Sequence, residues 1–282
     1  MNYDAPMSLH TSFRIGGKAE ALAVVRSKEH IMLAVKLAKE QGFPLLVMGN
    51  GSNMLVRDTG VTGLVLKIAD GFCGVKMRGS SVVADAGARL ITLSRDCIQK
   101  GLKGLHFAGG IPGTLGGAVA MNAGAYGGQI ADVFVSALCL EGLEEVKITK
   151  EQAAFDYRSS LFMSRKLIVL SVELQLAYDT DRSARRDFDD WAKQRKEKQP
   201  VSWPSAGSVF KRPVGHYAGA LIEQAGCKGM RIGGAEVSEL HAGFIVNVGD
   251  ATANDVLALI QEVKKRVKDS SGVELELEIK IV

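Results

Sequence analysis

Proline is scarce in this chain. There are six in 282 residues, roughly 2% against a usual ~5%, which excludes proline-rich disorder. Cysteine is sparse as well. Cys73, Cys97, Cys139 and Cys227 lie far apart, with no CxxC and no Cys/His cluster. That disfavours a zinc site, so no metal is expected, and four dispersed thiols suit a reducing compartment better than a disulfide scaffold. No apolar run approaches the ~18–20 residues that span a bilayer. The first eleven residues contain Asp4 and Pro6 and no apolar core, unlike a signal peptide. The expectation is a soluble, cytoplasmic protein without a membrane partner.

Charge of one sign is also missing. Thirty-five Lys+Arg against 31 Asp+Glu leave a net of +4, compatible with an anionic small molecule and insufficient to argue for nucleic acid. The densest basic stretch, Arg182 to Lys198, is broken by Asp187, Asp189, Asp190 and Glu197. It reads as a solvated, ion-paired helix face.

Glycine is what the chain has in excess. There are 32, and nine of them fall within residues 104–128, leaving 23 for the other 257 positions. The excess has no period of three, so collagen is excluded. Glycine runs let backbone N–H groups approach a guest and point the same way, which suits a phosphate or pyrophosphate. The two familiar phosphate fingerprints are absent. GxxxxGK[ST] does not occur, and GxGxxG fails because Met54 stands where a third glycine would follow Gly49 and Gly51. By spacing alone the segment is either an anion-binding loop, the favoured reading, or the tight packing of a bent strand or buried turn.

Around it, strand and helix signals alternate as in an α+β fold. Ser27 is placed to cap a helix with Ile31, Ala34, Val35 and Ala38 on one face, stopped by Gly42 and Pro44. Pro44–Met48, Val61–Ile68, Ser81–Ala86, Val133–Leu140, Glu145–Ile148 and Leu167–Ala177 read as strands. Leu90, Leu93, Ser94 and Cys97 mark a second helix. Thr252 and Asp255 resemble a capping box before the stripe Val256, Leu259, Ile260, Val263 and Val267. Val273 to Ile281 alternates strictly, as in one half-buried strand. A domain boundary is expected near 180–200.

Catalytic constellations are thin by spacing. HExxH and GxSxG are absent. Ser208 reads as a turn hydrogen-bonder, Arg158 as a surface or paired arginine, and Glu278 as one polar residue among four on a strand face.

Those residues nevertheless stand in recognisable contexts. The stretches are Thr11-Ser12-Phe13-Arg14-Ile15-Gly16-Gly17, Gly49-Asn50-Gly51-Ser52-Asn53, Ala108-Gly109-Gly110-Ile111-Pro112-Gly113-Thr114-Leu115-Gly116-Gly117-Ala118 and Asn122-Ala123-Gly124-Ala125-Tyr126-Gly127. Tyr157-Arg158-Ser159-Ser160, Ser205-Ala206-Gly207-Ser208-Val209-Phe210-Lys211-Arg212-Pro213 and Leu275-Glu276-Leu277-Glu278-Ile279-Lys280 follow in order. Taken together they resemble the UDP-N-acetylenolpyruvoylglucosamine reductase (MurB) family over nearly the whole chain. The short distance from Arg158 to Ser208 is similar to its compact subclass. Departures stand at His10, His216, Glu236 and Leu240.

The resemblance implies an α+β protein with a two-subdomain FAD-binding fold of the vanillyl-alcohol-oxidase type, residues 1–70 and 71–180, and a C-terminal substrate domain, 181–282. It implies FAD as cofactor and NADPH as hydride-donating co-substrate, with a UDP-sugar as partner and no nucleic acid. A monomer or weak homo-oligomer is expected. FAD would be held by Gly49, Asn50, Gly51, Ser52, Asn53, Gly110, Ile111, Pro112, Gly113, Thr114, Gly116, Gly117, Ala118, Asn122, Ala123 and Gly124. Substrate contacts would come from Tyr126, Lys211, Arg212, Tyr217 and His241. Arg158, Ser208 and Glu278 would be catalytic: the arginine on the substrate carboxylate, the serine as proton donor to C2, the glutamate entering protonated because like charge raises its pKa. Two rivals predict different behaviour. A flavin oxidase of the same fold would take another substrate. A nucleic-acid-binding protein gripping through 182–198 would be colourless and salt-sensitive.

Overall fold

The computed structural model describes residues 1–69 and 71–282. By contact the chain forms two compact units. One comprises Met1, 22–50 and 63–194, and the other 2–21, 51–62 and 195–282. Neither is continuous in sequence, and one division falls within 180–200, between Gln194 and Arg195. That division lies inside the helix Ser183–Lys198, whose residues through Gln194 belong to the first unit.

The first unit is built on a five-stranded antiparallel sheet. Its order is Glu144–Thr149, Phe134–Glu141, Ile168–Gln175, Ser81–Asp85 and Val75–Arg78. Val82, Ala84, Ala137, Cys139, Val172 and Leu174 alternate inward and are buried, the period-2 pattern of a half-buried sheet. Helix Leu90–Gln99 buries Leu90, Leu93, Ser94 and Cys97 as its sequence predicts. Helix Lys28–Glu40 starts where expected, with the Ser27 hydroxyl accepting from His30 N–H. Strand Leu45–Met48 pairs in parallel with residues 64–67.

The second unit packs helices Ala218–Gln224 and Ala253–Ser271 on a sheet ordered Ser205–Ser208, Phe244–Asn247, Ala235–Val237, Arg231–Ile232. Its core gathers Phe13, Val209, Ile222, Ile245, Val256, Leu259, Ile260 and Val263. The capping box at Thr252 is present, with reciprocal bonds of 3.0 and 2.9 Å. Asp58 reinforces it. Its two carboxylate oxygens accept from the Ala253 and Asn254 N–H groups at 2.8 and 3.0 Å, where the helix dipole favours negative charge.

The C-terminal alternation behaves differently from a single strand. Only Lys280–Ile281 pairs as one, in parallel with Met54–Leu55. Upstream, Leu277 bridges Phe210 and Lys211 N–H donates to Glu276 O. The segment changes partner midway. Alternation encodes which side chains are buried, and is blind to which backbone they lie beside. Among the described residues no helix is long and apolar enough to cross a membrane.

Candidate functional site

In the first unit the two glycine stretches meet. A Cβ at Gly49 would sit 2.2 Å from Thr114 Oγ1, so only glycine allows the end of strand 45–48 to lie against residue 114. The 113–116 backbone is held by residues 86–90. Leu90 N–H donates to Gly113 O (3.0 Å), Leu115 N–H to Ala88 O (2.9 Å) and Gly116 N–H to Ala86 O (2.8 Å). A Cβ at Gly116 would reach 2.9 Å from Ala86 Cβ. Packing therefore explains part of the glycine excess. It does not explain Gly117, which is exposed and whose added Cβ would meet only Thr114 Oγ1 at an ordinary 3.5 Å. A glycine there leaves the backbone open to close approach by a ligand. The packing reading holds at Gly49 and Gly116. An exposed glycine next to a packed cradle fits a bound pyrophosphate.

Two hairpins follow. Gly124–Ala125 pairs with Gly128–Gln129, leaving Tyr126 and Gly127 as a two-residue turn with φ +53° and +84°. Positive φ at both positions is the primed turn that favours Asn-Gly. A tyrosine there costs about 1–3 kcal/mol. Its ring stacks on Trp191 (4.7 Å, 5°) and its hydroxyl donates to Trp191 O at 3.2 Å. Those contacts offset the strain by roughly 1–3 kcal/mol together. The second hairpin joins Asp156 to Ser159 around Tyr157 and Arg158. Arg158 has φ +54° and is half-buried. Its guanidinium donates to Gly124 O at 3.2 Å and lies 5.1 Å from the Tyr157 ring centre.

Asn122 joins these hairpins. Only 2% exposed, it donates from Nδ2 to Gln129 Oε1 (3.0 Å) and Asp156 O (3.1 Å), and its Oδ1 accepts from Ala131 N–H (3.0 Å). Its side chain is engaged with protein on both sides. It therefore supports Arg158 and Tyr126 and leaves only its backbone for a cofactor.

In the second unit Ser208 and Glu278 come together. Gly207 takes φ +79° within an irregular pairing of 205–208 with Phe244–Asn247, a bulge that re-aims the following side chain. Glu278 N–H donates to Val209 O at 2.8 Å, directly beside Ser208. Glu274, Glu276 and Lys280 are exposed, whereas Glu278 is half-buried. The four polar residues of the alternation are thus not equivalent. Asn53 clamps the same point: its Nδ2 donates to Glu278 O at 3.1 Å and its carbonyl accepts from Lys280 N–H at 2.9 Å. This positioning by Asn53 had no signal in spacing. Gly49 and Asn50 belong to the first unit, Gly51, Ser52 and Asn53 to the second.

The expected substrate residues are placed as follows. Lys211 pairs with Glu276 at 3.1 Å. The Arg212 guanidinium lies 3.9 Å over the exposed Tyr217 ring, and its Nε donates to His216 O. His241 is half-buried. Its Nδ1 accepts from Gly243 N–H at 3.1 Å and its ring meets Phe244 edge-on. Burial lowers its pKa. His106, unremarked in the sequence, behaves alike: Nδ1 accepts from Gly104 N–H at 3.2 Å and burial lowers its pKa. Three of the four thiols, Cys97, Cys139 and Cys227, are buried. Burial pushes Cys97 and Cys139 up to about 12.

The profile of an FAD binding domain matches residues 19–147, and that of the UDP-N-acetylenolpyruvoylglucosamine reductase C-terminal domain matches residues 199–282. The α+β fold and the glycine cradle therefore belong to an FAD-dependent oxidoreductase. The reductase of Alkaliphilus oremlandii is 49% identical over 280 residues, covering 99% of this chain and 92% of the relative. That of Clostridioides difficile is 44% identical with the same coverage. The crystal structure of the Thermus caldophilus enzyme superposes with a TM-score of 0.85 at 35% identity, over 98% of this chain and 96% of that one. The chain belongs to the UDP-N-acetylenolpyruvoylglucosamine reductase family.

Proposed function

We propose that the protein reduces the enolpyruvyl group of UDP-N-acetylglucosamine enolpyruvate to give UDP-N-acetylmuramate, with NADPH as hydride source, in cytoplasmic peptidoglycan precursor synthesis. It works as a monomer or weak homo-oligomer. The observation that supports this best is the backbone bond between Glu278 and Val209. It sets the backbone of half-buried Glu278 against the residue that follows Ser208, at the end of strand Ser205–Ser208.

FAD held here would supply the hydride-transfer chemistry between the two co-substrates. In this reading Gly49, Asn50, Gly51, Ser52, Gly110, Ile111, Pro112, Gly113, Thr114, Gly116, Gly117, Ala118, Ala123 and Gly124 hold it, largely through backbone. Asn122 and Asn53 contribute by fixing neighbouring loops. Arg158 holds the substrate carboxylate through charge-assisted hydrogen bonds and steadies the charge that develops at C2. Ser208 donates a proton to that carbon, a task that needs proximity more than acidity. Glu278 enters protonated, since the substrate carboxylate disfavours a second negative charge, and donates to the enol-like intermediate. Tyr126, Lys211, Arg212, Tyr217 and His241 recognise the sugar nucleotide. Residues 1–70 and 71–180 serve the flavin and 181–282 the sugar.

Anaerobic titration tests the reading. NADPH should bleach the flavin of the purified protein, and the UDP-enolpyruvyl sugar should restore it. Flavin that is bleached but reoxidised only by oxygen would place the chain with the oxidases.

A further inference from the structure

Helix Ser183–Lys198 reads in sequence as a solvated charge run, and its outer face is one, with Arg185 paired to Asp189 at 2.9 Å. Its other face is different. Ala184, Asp187, Phe188 and Trp191 recur at helical spacing and point to the glycine-rich segment. Ala184 is 1% exposed. The Phe188 ring fills the space over Gly109, where a Cβ would come within 2.1 Å of it. Asp187 lies 3.9 Å from His106 Nε2. Trp191 is the centre of three parallel rings: His106 on one side (5.3 Å, 13°) and Tyr126 on the other (4.7 Å, 5°).

Tyr126 ends this stack. It occupies a turn position where Asn, Asp or Gly would be unstrained, so the chain keeps an aromatic ring there against local preference. Strain that persists because surrounding contacts over-determine it points to a role for the ring. The residue is 39% exposed, and among the described residues no ring other than Trp191 stacks on it. Its hydroxyl is engaged by Trp191 O. What remains on offer is a flat, fixed aromatic face, on the same hairpin whose Gly124 carbonyl accepts from Arg158.

We propose that Trp191 is a positioning residue that holds the Tyr126 ring as a plate for the planar base of a nucleotide. The proposal rests on the reductase reading, in which two nucleotide ligands must be recognised, a uridine diphosphate sugar and an adenine-containing dinucleotide. Parallel stacking on an aromatic plate is sequence-tolerant and suits either base.

The test compares Trp191→Leu, which keeps bulk and loses the stack, with Trp191→Phe, which keeps a ring. Binding of UDP and of 2′-phospho-AMP to the FAD-loaded full chain is measured by calorimetry, beside KM and kcat for both co-substrates. Trp191→Leu should weaken one nucleotide by about tenfold, the loss of one base stack. The matching KM should rise equally, kcat should hold within about twofold, and Trp191→Phe should recover most of the loss. Weakening confined to UDP assigns the plate to the sugar nucleotide, and weakening confined to the adenine nucleotide assigns it to the hydride donor. Unchanged binding of both overturns the proposal. So does a loss that Trp191→Phe shares and that tracks flavin release, since that is a structural role. If the wild-type flavin is not turned over by the two co-substrates, the reductase reading fails by itself, and the binding comparison still stands.

Discussion

At the scale of residues, backbone geometry brings the strand end at Ser208 and the Glu278 backbone side by side. Gly207 takes φ +79° just before Ser208, and the Glu278–Val209 and Asn53–Glu278 bonds hold the Glu278 backbone beside residues 208–209. The two half-reactions separate their roles. Ser208→Ala should leave NADPH reduction of the flavin close to wild type and slow reoxidation by the UDP-enolpyruvyl sugar by about 10²–10⁴-fold, the usual size of a lost proton donor. Equal slowing of both half-reactions in stopped flow would remove Ser208 from that role. Glu278→Gln should likewise slow only reoxidation, and a variant with wild-type reoxidation would exclude the acid. Asn53→Ala releases the Glu278 carbonyl, so it should slow reoxidation more than reduction.

At the scale of elements, the Arg158 and Tyr126 hairpins depend on Asn122. Replacing it by Ala removes three hydrogen bonds made by a side chain that is itself buried. The expected cost is about 2–4 kcal/mol, read by denaturant unfolding. A loss under about 0.5 kcal/mol, the size of an ordinary surface substitution, would show that the hairpins stand without it. This scale also shows what could be read in the sequence. Helices 28–40, 90–99 and 253–271 were legible because capping residues and apolar stripes are local signals. The 273–281 segment was half legible: Leu275 and Ile279 are buried as alternation predicts, while its change of backbone partner is a tertiary event. Helix 183–198 was legible on its charged face only, because Phe188 and Trp191 acquire a partner through folding. Asn122 and Asn53 sat inside motifs that marked them for the cofactor. Their bonds to Asp156 and Glu278 span 34 and 225 residues, beyond the reach of spacing.

At the scale of the whole molecule, His106 and His241 couple folding to pH. Burial lowers both pKa values, and each Nδ1 accepts a backbone N–H that only the neutral ring can take. The unfolded chain, with ordinary histidines near 6.5, therefore binds more protons than the folded one at mildly acidic pH. Their contribution is fully present above about pH 6.5 and is lost as pH falls through the lowered folded values. Asp255, also lowered by its backbone bond to Thr252, acts only further down, below about pH 4. Thermal melts from about pH 7.5 to about pH 5 should fall with acid, and His106→Gln should flatten part of that slope. A variant whose melting temperature falls as steeply as wild type would contradict the assignment.

The glycine cradle, Ser208 and Glu278 meet in one claim, that a bound flavin carries hydride from NADPH to the enolpyruvyl sugar. Anaerobic absorbance of the purified protein tests it directly. The account predicts a yellow protein that releases FAD on denaturation, loses its flavin absorbance with one equivalent of NADPH, and regains it with one equivalent of the UDP-enolpyruvyl sugar. A protein that holds no FAD, or a reduced flavin that the sugar nucleotide leaves bleached, would contradict it.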